Sequence, residues 1–176
     1  MPLSINVSPL QFRQPDFVDQ VRMILAETGA PPQQLIFEVT EGLLIEDIGQ
    51  AIRRMHELAA LGIRFSVDDF GTGYSNMAYL TKMPLYELKI DKSFMHGTPH
   101  DRSGTAIVQS ILSMARHLGL RVVAEGIESE AQANYLAAHG GACMQGFLYH
   151  RPMPLAQLIE HLDARTALPE RRLAIA

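Results

Sequence analysis

The 176-residue chain has one cysteine, no tryptophan and only 7% aromatic residues. A lone thiol, Cys143, excludes a disulfide framework and any cysteine-built zinc site. Apolar runs long enough to span a bilayer, about 18 residues, are absent, and no secretory leader pattern opens the chain. A basic excess is also missing. Fifteen Lys and Arg against nineteen Asp and Glu leave a net charge of −4, which argues against a DNA or RNA duplex binder. The remaining composition, 47% apolar and 19% charged, is that of a soluble domain, expected in the cytoplasm. At this length a fold buries roughly 70% of its unfolded-chain surface, so no staple is needed.

Six short apolar runs punctuate the sequence: Leu3–Ser8, Leu35–Thr40, Ile63–Asp69, Tyr86–Asp91, Arg121–Glu125 and Ala142–Tyr149. Their β-branched and aromatic content, with Gly or Pro at most boundaries, predicts strands. Between them lie stripes of helical period, such as Phe17, Val21, Ile24 and Leu25, or Ile107, Ile111, Met114 and Leu118. Helices are predicted near 16–28, 46–61, 75–82, 101–118, 129–139 and 154–163. Gly29, Gly62, Gly119 and Gly140 stand at four helix ends, where glycine supplies the left-handed stop. Alternating helix and strand implies parallel βαβ units over 1–164, with 165–176 a loosely attached tail.

Six βα units fit either a doubly wound sheet or part of a (β/α)8 barrel. The polar residues favour the barrel. Asn6, Glu38, Asp68, Lys89, Glu125 and Gln145 each sit at or near the carboxyl end of a strand. One charged strand end is ordinarily just solvated, but six polar ends in six strands suit a barrel, whose strand ends converge on one mouth. Strand alternation sends Glu38 and Thr40 to one face, and Phe37 and Val39 to the helices.

Carboxylates converging at such a mouth repel one another unless cations sit between them. Asn6, Glu38, Asp68, Asp69, Glu125 and Glu128 offer oxygen donors, which select Mg2+ or Mn2+ over zinc. The adjacent Asp68-Asp69 pair can serve two ions, and two ions about 3.5–4 Å apart suit phosphodiester cleavage. Lys89 then fits as a donor to the attacking water or to a phosphate oxygen. Phe70-Gly-Thr-Gly-Tyr-Ser75 follows the pair; a glycine-rich βα turn is common, but here it reads as a loop shaping the site.

The blocks Ser4-Ile-Asn-Val-Ser8, Phe37-Glu-Val-Thr-Glu41, Val67-Asp-Asp-Phe-Gly-Thr-Gly-Tyr-Ser75, Leu88-Lys-Ile-Asp-Lys-Ser-Phe94, Val123-Ala-Glu-Gly-Ile-Glu128 and Met144-Gln-Gly-Phe147 stand in order along the chain. Together with Arg151-Pro-Met-Pro154 they resemble the EAL domain, the bacterial cyclic di-GMP phosphodiesterase family. The resemblance implies a (β/α)8 TIM-type barrel that hydrolyses cyclic di-GMP to pGpG with two Mg2+ or Mn2+ ions, in second-messenger signalling. It implies Asn6, Glu38 and Asp68 as ligands of one ion, and Asp68, Asp69 and Glu125 as ligands near the second. Lys89 resembles the lysine that holds the catalytic water, with Glu125 its base and Glu128 and Gln145 further site residues. Glu41 resembles the glutamate that anchors the loop containing Gly71, Thr72 and Gly73, a region that in the family also mediates homodimer contacts. The Glu-Ala-Leu tripeptide is absent. The chain begins just before the family's third strand, so an incomplete barrel of about six units, family strands 3 to 8, is expected, with a sensory or cyclase domain a candidate upstream.

The competing class is a catalytically inactive cyclic di-GMP receptor or interaction module, whose mark would be a degenerate ligand set; the ligands present are intact. A Schiff-base lysine is disfavoured, because that chemistry needs a lowered pKa and the carboxylates around Lys89 raise it. Cys143 reads as a small buried residue. The seven histidines show no ligand spacing, and Met23, Met55 and Met114 read as core.

Overall fold

A computed structural model describes residues 2–44, 48–72 and 77–166. Its sheet holds six parallel strands in sequence order: β1 (Leu3–Asn6), β2 (Leu35–Thr40), β3 (Arg64–Phe70), β4 (Leu85–Ile90), β5 (Arg121–Ala124) and β6 (Cys143–Met144). The helices described are α1 (Pro9–Phe12), α2 (Phe17–Thr28), α3 (Ile48–Ala60), α4 (Met77–Leu80), α5 (Lys92–His96), α6 (Arg102–Leu118), α7 (Glu130–Ala138) and α8 (Leu155–Thr166). The result is a half-barrel: helices pack outside, and the inner face of the sheet carries the polar residues.

Strand alternation creates that division. Phe37 and Val39 of β2, with Phe65 of β3, join Phe12, Phe17, Met55 and Leu58 in one buried cluster. The Phe65 ring meets Phe12 and Phe37 edge-on, at centroid distances of 6.3 and 6.1 Å. Leu88 and Ile90 of β4, with Val122 and Ala124 of β5, pack on Val108, Ile111 and Leu136 in a second cluster. The intervening residues line a groove of about 420 Å³ on the concave side, among them Ile36, Glu38, Glu87, Lys89 and Val123. At Gly29 and Gly119, φ values of 66° and 68° close α2 and α6 in the left-handed conformation the sequence predicts.

Several boundaries differ from expectation. Ala142–Tyr149 was expected as one strand, but pairing stops after Met144 and the chain turns through Gly146. At Gly146 a Cβ would collide with the Ile127 backbone, so the chain crosses that segment where only glycine fits. Cys143 is exposed rather than buried. It pairs in register with inward-facing Val123, and among the described residues β6 is a sheet edge with no further strand to cover it. Ser8 leaves the strand to cap α1 through a reciprocal pair with Gln11. Met23 and Ile24 of α2 are exposed, because α2 flanks the edge strand β1 and no described helix packs beyond it. The tail residues 167–176, the predicted helix starts at 46–47 and 75–76, and Gly73 lie outside the described residues. Residues 165–166 continue α8.

Candidate active site

Lys89 organises the mouth of the half-barrel. Its Nζ lies 2.6 Å from Glu38 Oε2, 2.7 Å from Glu125 Oε1 and 3.1 Å from Asp68 Oδ1. Three strands and the end of a fourth thus meet at one ammonium group that is nearly inaccessible to solvent. Burial by itself would lower the Lys89 pKa. The hydrogen bonds to Glu125 and Glu38, with the charges of Glu125 and Asp68, outweigh it and hold the ammonium above its ordinary range.

One cation does not balance the acids around it. Ligand oxygens of Asp68, Asp69 and Glu125 all lie within 4.8 Å of one another. Burial pushes Glu125 above the usual carboxylate range; Lys89 opposes that shift, and the charges of Asp68 and Glu38 add to it. Asp69 is also raised, by burial first and then by Asp68 and Asp91. Oxygens on opposite sides of one divalent ion at 2.0–2.6 Å stand about 4–5 Å apart. The three carboxylates therefore fit a hard divalent cation in both donor type and spacing.

Adjacent strand residues ordinarily point to opposite faces. Asp68 and Asp69 escape this rule because the β3–β4 register shifts between Val67 and Phe70, and Asp69 adopts a φ of 54°. Aspartate is among the few residues that enter this left-handed region with any frequency. The Asp69 N–H donates to Asp68 Oδ1 at 3.1 Å, and Thr72 returns its N–H and hydroxyl to the Asp69 carbonyl at 3.2 and 2.8 Å. The buried Glu41 accepts from the Gly71 N–H at 3.3 Å.

The other expected residues occupy the periphery. Asn6 stands beside Glu38 in the β1–β2 register and is exposed. Glu128 and Gln145 are exposed on the rim, held by backbone: the Glu128 N–H donates to Gln132 Oε1 at 2.8 Å, and the Gln145 carbonyl accepts from Ile127 at 3.1 Å. Glu38 touches Lys89 and lies outside the group of three carboxylates.

Two acidic residues escaped the sequence reading. Asp91 faces Asp69 and caps α5, accepting from the Ser93 N–H at 2.9 Å. Burial alone would raise it, but the Ser93 hydrogen bonds hold it below the usual range. Its signal was present, since Asp91 follows Lys89 by two and shares its face. Glu87, two residues before Lys89, is a buried carboxylate on the groove floor, raised by burial and partly offset by Arg121.

Fold and site define the class: a parallel βα half-barrel with an acidic, lysine-braced mouth at the carboxyl ends of its strands. The chain belongs to the EAL domain family, whose sequence model matches residues 1–152. It is 43% identical over 157 residues to the bifunctional diguanylate cyclase/cyclic di-GMP phosphodiesterase MucR of Pseudomonas aeruginosa, covering 89% of this chain and 23% of that protein. The solved structure of the PaMucR phosphodiesterase in complex with c-di-GMP superposes with a TM-score of 0.85 at 43% identity, covering 89% of this chain and 64% of that one. The manganese and cyclic di-GMP complex of Klebsiella pneumoniae BlrP1 gives 0.77 at 33% identity, covering 86% and 39%. The chain thus spans less than a quarter of the length of MucR. No described helix is long and apolar enough to cross a membrane.

Proposed function

We propose that this chain carries the metal-dependent site of a cyclic di-GMP phosphodiesterase, which opens the cyclic dinucleotide to linear pGpG. The observation that carries the reading is the convergence of Glu38, Asp68 and Glu125 on Lys89, with Asp69 turned into the same cluster. Asn6, Glu38 and Asp68 would hold one Mg2+ or Mn2+ ion, and Asp68, Asp69 and Glu125 a second. When bound, such ions supply Lewis acidity toward phosphoryl oxygens and the attacking water.

The chain's own groups do the rest. Glu125 accepts a proton from water at its carboxylate, which stands 2.7 Å from Lys89 Nζ at the mouth. Lys89 Nζ stays charged and donates hydrogen bonds to the water or to a non-bridging phosphate oxygen. Water oxygen joins phosphorus, one bridging P–O bond breaks, and the departing sugar oxygen takes up a proton from solvent while Glu125 returns its own to solvent. Glu41 fixes the Gly71–Thr72 turn beside the cluster, and Glu128 and Gln145 offer polar contacts at the rim. By the same family likeness we propose a homodimer through the segment after Asp69, a cytoplasmic setting where the dinucleotide signal is consumed, and a sensory or cyclase domain on the same polypeptide; the name of MucR describes a diguanylate cyclase joined to a phosphodiesterase in that protein.

The test is hydrolysis by the full gene product containing residues 1–176, read by chromatography of pGpG with Mg2+ and with Mn2+. Turnover lost in Glu125→Ala and Lys89→Ala supports the enzyme. Cyclic di-GMP binding without turnover in either metal would make the domain a receptor.

A further inference from the structure

We propose that Phe94 is a positioning residue for Asp69, holding its carboxylate in the cation site from across the β4–α5 turn. The inference rests on the metal-dependent reading above and concerns how this chain keeps that site in shape.

The left-handed backbone at Asp69 is a conformation that persists only where surrounding structure enforces it. Two residues on, Gly71 has a φ of 96°, again on the left-handed side. Its N–H is tied to Glu41 Oε2 at 3.3 Å. Phe94 and Ile111 pack against it: a methyl group placed on Gly71 would lie 3.2 Å from Phe94 Cε2 and 3.5 Å from Ile111 Cδ1. Gly71 is therefore pinned by Glu41 and backed by the Phe94 ring. Thr72, next in sequence, bonds back to the Asp69 carbonyl through both its N–H and its hydroxyl. The Phe94 ring acts on Asp69 through Gly71 and Thr72.

Phe94 also belongs to the segment that carries the rest of the site. Lys89 is the penultimate residue of β4, Asp91 faces Asp69 and caps α5, and Phe94 follows within that helix. Its packing against the second core cluster fixes the ring from behind. Without the ring, the Gly71–Thr72 turn loses its backing and Asp69 can relax toward extended backbone. Strand alternation would then carry its carboxylate away from Asp68 and Glu125.

The experiment is calorimetric titration of Mn2+ into the full gene product, for wild type, Phe94→Ala, Asp69→Asn and the double variant. Displacing a group that orients a ligand lowers metal affinity about 10–100-fold, and Phe94→Ala is expected near the lower end. In the Asp69→Asn background the same substitution should change affinity less than twofold, because its effect passes through Asp69. Phe94→Leu, which keeps apolar contact, should recover most of the loss. Should Phe94→Ala fail to fold, Gly71→Ala disturbs the same contact and is expected to give the same Asp69-dependent loss. Equal losses in both backgrounds, or unchanged affinity in Phe94→Ala, would overturn the proposal. Wild type that takes up no Mn2+ would overturn the metal reading itself.

Discussion

Lys89 on β4 and Glu38 on β2 form an ion pair of 2.6 Å across the intervening strand β3. The contact requires both residues on the concave face, and the parallel register supplies this: Glu38 pairs with Ser66, and Ser66 with Glu87, two residues before Lys89. Asp68, two residues past Ser66, enters the same network. A single lysine thus ties three strands and the end of a fourth.

Replacing that ammonium exposes what it holds. In Lys89→Met, the Glu38, Asp68 and Glu125 carboxylates, 8%, 16% and 19% exposed, face one another without a cation. Removing one partner of a buried ion pair costs about 3–5 kcal/mol, and their partial exposure places the expected loss near the lower bound at pH 7. Glu125, already raised by burial, loses in the variant the Lys89 contacts that oppose that rise. Its contribution is then favourable at acid pH and is lost as pH rises through the folded value. Denaturant melts should show the deficit shrinking from pH 7 toward pH 4, whereas a deficit independent of pH would contradict it.

Glu87 offers a second pH test, on the groove floor two residues before Lys89. Burial raises its pKa, so the folded state favours the protonated form. A raised carboxyl stabilises the fold below its unfolded pKa and loses that contribution as pH rises through the folded value. Glu87→Gln removes the titration. The variant is expected to be more stable than wild type at pH 7, with the difference narrowing as pH falls through the raised folded value and closing in the ordinary glutamate range. Parallel stability curves for the two proteins would argue against a buried ionised Glu87.

The outer core predicts a conventional loss. Phe65 is fully buried and touches two other aromatic rings edge-on. Phe65→Ala should destabilise by about 3–5 kcal/mol, read from the shift of a urea midpoint. A loss under 1 kcal/mol would mean that the Phe12–Phe37 neighbourhood collapses into the space.

Much of the site was visible in residue order because each strand signals itself twice, by an apolar run and by a polar end. Glu38, Asp68, Lys89 and Glu125 each lie at or near the end of such a run, and parallel register brings them together. The bulge at Asp68–Asp69 left no mark in composition, since alternation alone sends the two side chains apart. Asp91 was hidden by its double role, as the end of one run and the cap of a short helix. Cys143 misled because burial depends on neighbours outside its own segment: an inward-facing residue is covered only when another strand lies beside it.

The carboxylate cluster is tested most directly by Mn2+ titration of wild type against Asp68→Asn. Asp68 contacts Lys89 at 3.1 Å and belongs to the group of oxygens within 4.8 Å of one another. Calorimetry should show Mn2+ uptake by wild type and its loss in Asp68→Asn, with weakened residual uptake in Asp69→Asn. Identical isotherms for wild type and Asp68→Asn would contradict a cation site at these residues.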